Sequence, residues 1–279
     1  GLIELADDFK IYWNNFPIAK LMRGNDYLNP NFELIIDDVV NDNPKQKFNK
    51  YIKNWIENKI NRVLKSLVDL KNIDENNSSI KALAYQLYEN NGVLKREMVS
   101  EYLEKLEQSD RKILREIGVK FGRYHVFLYQ LIKPEAVSLR TLLWKNFHQK
   151  YFNLKPPTFG LNFINDKEFK NQHFMLLCGF EKFETLFVRI DILERLFMLI
   201  IKSSSKEYSK VKMTPEMLNL LGCSKENFKK LLEKMQYEVL EKDNEIFFKY
   251  RPIKKFKKIP NKRVSNENPF KILKNLNLR

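Results

Sequence analysis

The most informative part of the chain is Leu186-Phe-Val-Arg-Ile-Asp-Ile-Leu-Glu-Arg-Leu-Phe-Met-Leu-Ile-Ile201, in which a strand pattern gives way to a helix pattern. Residues 186–190 are rich in β-branched and aromatic side chains, which favour a strand. Asp191 is placed to cap the helix that follows, and Glu194 three residues later completes a capping box. Apolar residues then recur at three- and four-residue steps, which predicts a helix with one buried face.

The elements predicted after this helix continue in a defined order. Val211-Lys-Met213 is a brief strand, and a second helix ends at Gly222. Ser224 is placed to cap a third helix. Residues 237–241 and 245–250 then form a hairpin around a three-residue turn. The predicted order is therefore helix, short strand, helix, tight turn, helix and hairpin. This is the order of a winged helix-turn-helix, which we predict for the C-terminal third of the chain.

The third helix of this order can enter a nucleic-acid groove in winged-helix proteins. Its outward cations are Lys225, Lys229, Lys230 and Lys234, which are opposed by Glu226 and Glu233. Winged helices also serve as protein-docking or purely structural units, so all three uses stay open. Because no arginine or glutamine is placed to read base edges, any nucleic-acid contact is expected to be non-specific.

The residues before the winged-helix pattern are mostly helical. Residues 45–71 carry the clearest apolar stripe, and further short helices are predicted on both sides of Asn90-Asn91-Gly92. Residues 119–132 lack a helical stripe and predict a strand or extended segment. Pro134 then begins another helix, since proline is favoured in the first turn.

The N-terminal residues predict a small antiparallel β structure. Phe9-Lys-Ile-Tyr-Trp13 and Phe16-Pro-Ile-Ala-Lys-Leu21 flank the turn Asn14-Asn15, which is typical of a hairpin. Arg23-Gly24-Asn25-Asp26 is expected to form a second turn, and Pro30 to end the segment after it.

The predicted fold is mainly α with small β elements, an α+β class. A β-hairpin segment occupies residues 1–44, a helical domain 45–155, a winged-helix-like domain 156–250 and a basic, flexible tail 251–279. The boundary near 156 is placed at Pro156-Pro157, which indicates a linker.

The positive charge is concentrated at the end of the chain. The 279 residues have a net charge of +15, yet residues 251–279 alone hold ten basic residues and one acidic residue. A run of like charge of this kind is typically disordered until it meets a polyanion. The candidate nucleic-acid-binding residues of the tail are Lys254, Lys255, Lys257, Lys258, Lys262 and Arg263, with Phe256 placed to stack on an unpaired base.

A second basic region lies in the middle of the chain. Residues 92–160 carry thirteen basic and seven acidic residues. Arg123, Arg140 and Lys145 are candidates for a shared basic surface, and the first two are also candidate nucleic-acid contacts. His125 has apolar neighbours, so it is either a hydrogen-bonded core histidine or a switch or ligand.

Several classes of function have no support in the sequence. There is no phosphate-binding loop, dinucleotide fingerprint or nucleophile elbow. The two cysteines, Cys178 and Cys223, form no metal or redox motif. No stretch is long and apolar enough to span a membrane, and no signal peptide is visible. We therefore expect a cytoplasmic, reducing location, no membrane partner, no catalytic residue and no cofactor held by this chain.

Several stretches of the sequence together resemble a known protein family. They are Phe9-Lys-Ile-Tyr-Trp-Asn-Asn-Phe-Pro-Ile-Ala-Lys-Leu21, Gly24-Asn-Asp-Tyr-Leu-Asn-Pro30, Gly118-Val-Lys-Phe-Gly-Arg-Tyr-His-Val-Phe-Leu128, Lys133-Pro-Glu-Ala136, Leu139-Arg-Thr-Leu-Leu-Trp144, Val188-Arg-Ile-Asp-Ile-Leu-Glu-Arg195, and Leu220-Leu-Gly-Cys-Ser224 with Phe228. In this order they resemble the C-terminal region of alphaproteobacterial superfamily-two helicases, relatives of the mitochondrial degradosome RNA helicase. The tail after Tyr250 is outside that resemblance.

The resemblance implies an accessory role beside an ATP-driven unwinding motor. The motor's RecA-like domains would precede residue 1, and ATP and Mg²⁺ would belong to them. We therefore expect a non-catalytic region that binds or guides nucleic acid non-specifically, RNA rather than DNA, with the motor domains and a ribonuclease as candidate partners. The alternative is a protein-interaction scaffold that docks a ribonuclease or ribosomal partner.

Overall fold

The structure is a computed structural model that describes residues 2–35, 42–73, 76–168, 171–204 and 210–251. The protein is mixed α and β, with 49% of the described residues in helices and 25% in strands, which agrees with the α+β class. Within these ranges, no helix has both the length and the apolar character needed to cross a bilayer.

The N-terminal residues form an antiparallel sheet whose strands follow chain order. These are β1 (Ile3–Leu5), β2 (Lys10–Trp13), β3 (Phe16–Asp26) and β4 (Asn29–Leu34). The predicted hairpin is confirmed, since β2 pairs with β3 and the turn residues Asn14 and Asn15 have φ values of 47° and 70°. Asparagine tolerates this left-handed region better than most residues.

The second predicted turn is wrong. Gly24 lies inside β3, and the chain reverses after Asp26 instead. A Cβ atom at Gly24 would lie 1.7 Å from the Asn29 carbonyl oxygen. The missing side chain therefore lets the backbones of β3 and β4 approach closely where their register is irregular. Pro30 lies within β4, where the missing N–H is tolerated because β4 is an edge strand.

Between the first sheet and His148, the described residues form six α-helices. They are α1 (Asp42–Val63), α2 (Lys65–Lys71), α3 (Ser78–Glu89), α4 (Ser100–Glu104), α5 (Gln108–Ile117) and α6 (Pro134–His148). The helix predicted over 45–71 is therefore two helices that meet at Leu64, whose side chain is fully buried. The apolar stripe continues across the break, which is why the sequence pattern does not reveal it.

A small sheet lies among these helices. Its strands are β5 (Val93–Lys95), β6 (Val119–Phe121) and β7 (His125–Leu128), and β7 is central. The prediction for 119–132 is thus confirmed for two short strands. It is wrong for Tyr129–Ile132, which form a turn of 3₁₀ helix.

The C-terminal third contains two further sheets. β8 (Phe163–Asn165), β9 (Phe180–Phe183) and β10 (Leu186–Arg189) form one, with β10 central and α7 (Gln172–Leu177) beside it. After α8 (Ile190–Ser203) come β11 (Val211–Lys212), α9 (Pro215–Leu221), α10 (Lys225–Lys234), β12 (Tyr237–Lys242) and β13 (Glu245–Tyr250). The last sheet has the order β11-β13-β12.

The end signals of these helices are partly confirmed. Gly222 has φ 68° after α9, and the Ser224 hydroxyl accepts the Asn227 N–H at the start of α10. The predicted capping box of α8 is wrong, because Arg189 precedes the helix and gives it no side-chain cap. The Asp191 carboxylate instead pairs with the Arg189 guanidinium, with Nε 2.6 Å from Oδ1.

Buried apolar side chains form two main cores. One joins the first sheet to α1–α6, and the other joins α8–α10 to β10, β11 and β13. A smaller cluster around Trp144 and Phe174 packs α6 against α7, β9 and β10, across the Pro156-Pro157 boundary. The domain limits proposed from the sequence stay a prediction.

Candidate nucleic-acid interface

The six candidate residues of the tail lie outside the described residues. The last described residue is Arg251, which is firmly anchored. Its N–H donates to the Gln236 carbonyl at 2.9 Å, and its Nε lies 2.7 Å from Glu238 Oε2. Lys254 follows three residues later in the sequence. The cationic run therefore starts close to a fixed point of the fold.

Most lysines of α10 are neutralised by neighbouring carboxylates. Lys229 pairs with Glu241, and Lys230 Nζ lies 2.8 Å from Glu226 Oε1. Lys225 is exposed, and no ion pair to it is found among the residues that the structure describes. The predicted basic face of this helix therefore has little uncompensated charge.

Arg140 is not on a surface, which corrects its assignment as a nucleic-acid contact. Its side chain is fully buried, and its guanidinium donates to the carbonyls of Asn91 (2.7 Å), Leu131 (3.1 Å) and Leu177. Burial lowers its pKa to about 10, which keeps it charged at neutral pH. The physical reason is the position of α6, which contacts β3, α1 and α7 and so has no free side at Arg140.

Lys145, the third member of the predicted basic surface, is also mostly buried. Its ammonium donates to the Leu154 carbonyl at 3.0 Å and lies 5.9 Å from the centre of the Phe9 ring. Arg123 differs from both. It is exposed, and its guanidinium lies 5.7 Å from the centre of the Phe197 ring. Arg123 is thus the one member of the three that can face a ligand.

Arg123 lines a cleft of about 460 Å³ between the β5–β7 sheet and the C-terminal core. We call this the central cleft. Its cations are Lys95, Arg96, Arg123 and Lys234, its acidic residues are Glu97 and Glu181, and its aromatic residues are Tyr124, Phe183 and Tyr250. Because Tyr250 directly precedes Arg251, the basic tail begins at the rim of the central cleft.

Two of the four cations are engaged by acids. The Lys95 ammonium lies 2.8 Å from Glu181 Oε1, and the Lys234 ammonium lies 2.6 Å from Glu184 Oε1. The Arg96 guanidinium donates to the Gly122 carbonyl at 2.8 Å. Among the described residues, no carboxylate pairs with the side chain of Arg123. The available positive charge of the cleft therefore comes mainly from its two arginines.

A buried histidine lies beneath the cleft. His125 is only 2% exposed, and its Nε2 lies 2.8 Å from Glu181 Oε2. Burial lowers its pKa, but the hydrogen bond to Glu181 and the negative charges of Glu181 and Glu194 outweigh burial and raise the pKa above the usual value. The contacts of Glu181 with His125 and Lys95 outweigh burial at Glu181 and lower its pKa. Of the two alternatives for His125, the hydrogen-bonded core histidine is confirmed.

The loop that carries Arg123 is fixed by Glu194. The carboxylate of Glu194 accepts the backbone N–H groups of Arg123, Tyr124 and His125, the last two at 2.9 and 3.1 Å. A Cβ atom at Gly122 would lie 2.4 Å from that carboxylate, so a larger residue here would displace the carboxylate from the loop. The residue predicted as half of a capping box therefore positions one wall of the cleft.

The central cleft is the site that sequence reasoning missed. Its walls come from residues near 95, 123, 183, 234 and 250, which no local pattern brings together. The surplus of basic residues in 92–160 is the only signal that pointed toward it. As for metals, the described part of the chain contains no group of three histidine, cysteine or acidic residues that could hold an ion.

The comparisons with known proteins add no relative. No protein-family model, curated protein or solved structure matches this chain. The resemblance to the helicase family therefore rests on the sequence strings given above and stays a prediction.

Proposed function

We propose that this chain binds nucleic acid non-specifically, as the non-catalytic C-terminal region of an ATP-dependent RNA helicase. The observation that carries the binding part is the position of Arg251, the first residue of the tail. The ten cations of residues 251–279 begin at Arg251, which is anchored beside a cleft lined by arginines and aromatic rings. A positively charged track with aromatic faces is the common design of sequence-independent binders of single strands.

The helicase part of the proposal is supported by the sequence resemblance. It assigns ATP and Mg²⁺ to motor domains outside this chain, and it favours RNA as the polyanion and a ribonuclease as a further partner. The place of action would be the cytoplasm. In this reading, the chain holds the strand while the motor domains hydrolyse the nucleotide.

We also propose that residues 190–250 form a winged helix. The supporting observations are the order helix, strand, two helices and hairpin, and the sheet order β11-β13-β12. The tight turn between α9 and α10 contains Gly222 in the left-handed region. Since Lys229 and Lys230 are paired with carboxylates, we assign the main grip to the tail and the central cleft instead of α10.

A second candidate function is a protein-interaction scaffold. The ion pairs of Lys229 and Lys230 leave the outer face of α10 nearly neutral, which suits the docking of a protein better than that of a polyanion. In that case the basic residues of the tail would serve another purpose, such as solubility. A ribonuclease or a ribosomal protein is the expected partner.

The experiment is a salt titration with a single-stranded RNA 20-mer, followed by fluorescence anisotropy. Each lysine–phosphate contact that is removed changes the slope of log K against log salt by about 0.7 for a single strand. We expect replacement of Lys254, Lys255, Lys257 and Lys258 by alanine to flatten the slope by roughly 3. A matched control replaces four other lysines, Lys47, Lys50, Lys53 and Lys81, which are all exposed.

The control has the same net charge as the tail variant and should change the slope by less than one. Equal changes in both variants would show a general charge effect and would contradict a binding role for the tail. If the wild-type chain does not bind the RNA below micromolar protein at physiological salt, the nucleic-acid function is contradicted and the scaffold becomes the leading candidate.

A further inference from the structure

We infer that the central cleft receives an unpaired nucleotide of a strand, so that the chain selects single strands over duplexes. This inference rests on the proposed function and specifies the substrate class of its site. The tail alone would hold any polyanion, because the attraction between lysines and phosphates does not distinguish a single strand from a double helix. Selectivity must therefore come from the folded part.

The size of the cleft suits one nucleotide. Its volume of about 460 Å³ lies at the lower end of the range of roughly 300–1,000 Å³ found for small-molecule pockets. A base still paired in a duplex is stacked between its neighbours and cannot enter a pocket of this size without being extruded. A single strand can insert one base without breaking a pair.

The aromatic side chains offer faces on which an inserted base can stack. Tyr250 is 47% exposed, and its ring is held by Tyr237 at a centroid distance of 5.3 Å. Tyr124 is likewise held by an edge-to-face contact with Phe197 at 5.8 Å. Because both rings are already fixed by neighbours, little conformational entropy is lost when a base packs against them.

The charges of the cleft suit the phosphate that accompanies the base. The Arg123 guanidinium is exposed at the wall, and its backbone is fixed by the Glu194 carboxylate. The nearby carboxylate of Glu181 has one oxygen on Lys95 and the other on His125. This pairing compensates its negative charge, so it opposes an incoming phosphate less than a free carboxylate would.

The chain order makes the cleft and the tail continuous. A strand whose base enters the cleft at Tyr250 places its next phosphate near Arg251, the residue with which the cationic sequence begins. The cleft then supplies selectivity for an unpaired base, and the tail supplies salt-dependent affinity. The two contributions are separable by mutation.

The test compares a single-stranded RNA 12-mer with the corresponding duplex, using anisotropy on the full chain. We expect the wild type to bind the single strand at least tenfold more tightly. Tyr250→Ala should weaken single-strand binding by roughly tenfold, the loss typical of one stacked base, and leave duplex binding unchanged. Tyr250→Phe should retain the preference, and Tyr85→Ala, which removes another exposed tyrosine, should have no effect.

A second measurement does not depend on any variant. A 12-mer that carries one photoactivatable uridine is crosslinked to the wild-type chain, and the crosslinked peptides are identified by mass spectrometry. Crosslinks to Tyr124, Phe183 or Tyr250 support the inference. Crosslinks confined to residues 252–279, or equal affinity for single strand and duplex, would overturn it while the proposed function stands.

Two further outcomes separate the remaining possibilities. If neither RNA binds, the proposed function and the inference both fail. Adenosine 5′-monophosphate serves as a competitor, because a free nucleotide has the same chemistry as one unit of a strand. We expect adenosine 5′-monophosphate to compete only weakly, at concentrations at least a hundredfold above those of the 12-mer. Competition as strong as that of the 12-mer would make a free nucleotide the ligand and would contradict a strand site.

Discussion

Glu194 is the residue whose role differs most from its sequence pattern. Its spacing from Asp191 predicts a capping box, yet its carboxylate accepts three backbone N–H groups of the loop at 123–125. The partner loop lies about seventy residues earlier in the chain. A local pattern cannot report a contact of this kind, because nothing in the spacing distinguishes a carboxylate that caps its own helix from one that binds a distant loop.

Gly122→Ala tests how tightly this loop is fixed. The new Cβ atom would lie 2.4 Å from the Glu194 carboxylate, which must move and lose some of its hydrogen bonds. We expect a loss of about 1–3 kcal/mol in the free energy of unfolding, measured by urea denaturation. In a Glu194→Ala background the same substitution should cost less, since the obstructing group is gone. An equal cost in both backgrounds would contradict the assigned contact.

His125 gives a prediction for the pH dependence of stability. Its pKa is raised in the folded state, so its charged form contributes stability that is complete below the unfolded pKa of about 6.5. That contribution is lost as the pH rises through the folded pKa. The stability advantage of the wild type over His125→Gln should therefore be larger at pH 5.5 than at pH 8.5, as measured by urea denaturation.

His173 provides a control of opposite sign. Burial lowers its pKa, so its protonation destabilises the folded state at acidic pH. His173→Gln should consequently gain stability relative to the wild type at pH 5.5 but not at pH 8.5. If the two variants showed the same pH trend, the ion pair between His125 and Glu181 would not be the cause of the His125 effect.

At the level of elements, local patterns predict what local contacts stabilise. The hairpin around Asn14 and Asn15 and the helix end at Gly222 both depend on backbone preferences of neighbouring residues, and both are confirmed. The break at Leu64 depends on packing between helices and was not predicted. The three-residue strand β5 was missed because its pairing with β7 joins residues about thirty positions apart.

The helix α10 is the element whose function the structure changes most. Its lysines predict a basic face, but Lys229 and Lys230 have carboxylate partners. We expect replacement of Lys225, Lys229 and Lys230 by alanine to flatten the salt slope by less than one, whereas three true phosphate contacts would flatten it by about 2. Glu226→Gln with Glu241→Gln should release these lysines and steepen the slope. No change in that double variant would show that the ion pairs are not what limits α10.

At the level of the whole molecule, the candidate site arises where two cores meet. The tail was predictable, because charge is visible in composition alone. The central cleft was not, since its position depends on how the β5–β7 sheet faces α10 and β13, and that arrangement follows from tertiary packing. Arg140 failed as a candidate for the same reason: a helix covered on several sides has no free face for a cation.

Salt titrations can distinguish the contribution of the tail to RNA affinity from that of the central cleft. Stacking on Tyr250 releases no counterions, so Tyr250→Ala should lower the affinity for single-stranded RNA by the same factor at every salt concentration and leave the slope unchanged. The tail variant should instead flatten the slope, so that its loss of affinity is largest at low salt. In a variant that combines both changes, the lowered affinity and the flatter slope should appear together, because they arise from different physical terms. A change of slope caused by Tyr250→Ala alone would show that the ring acts by positioning the tail, and the cleft would then have no separate role in binding.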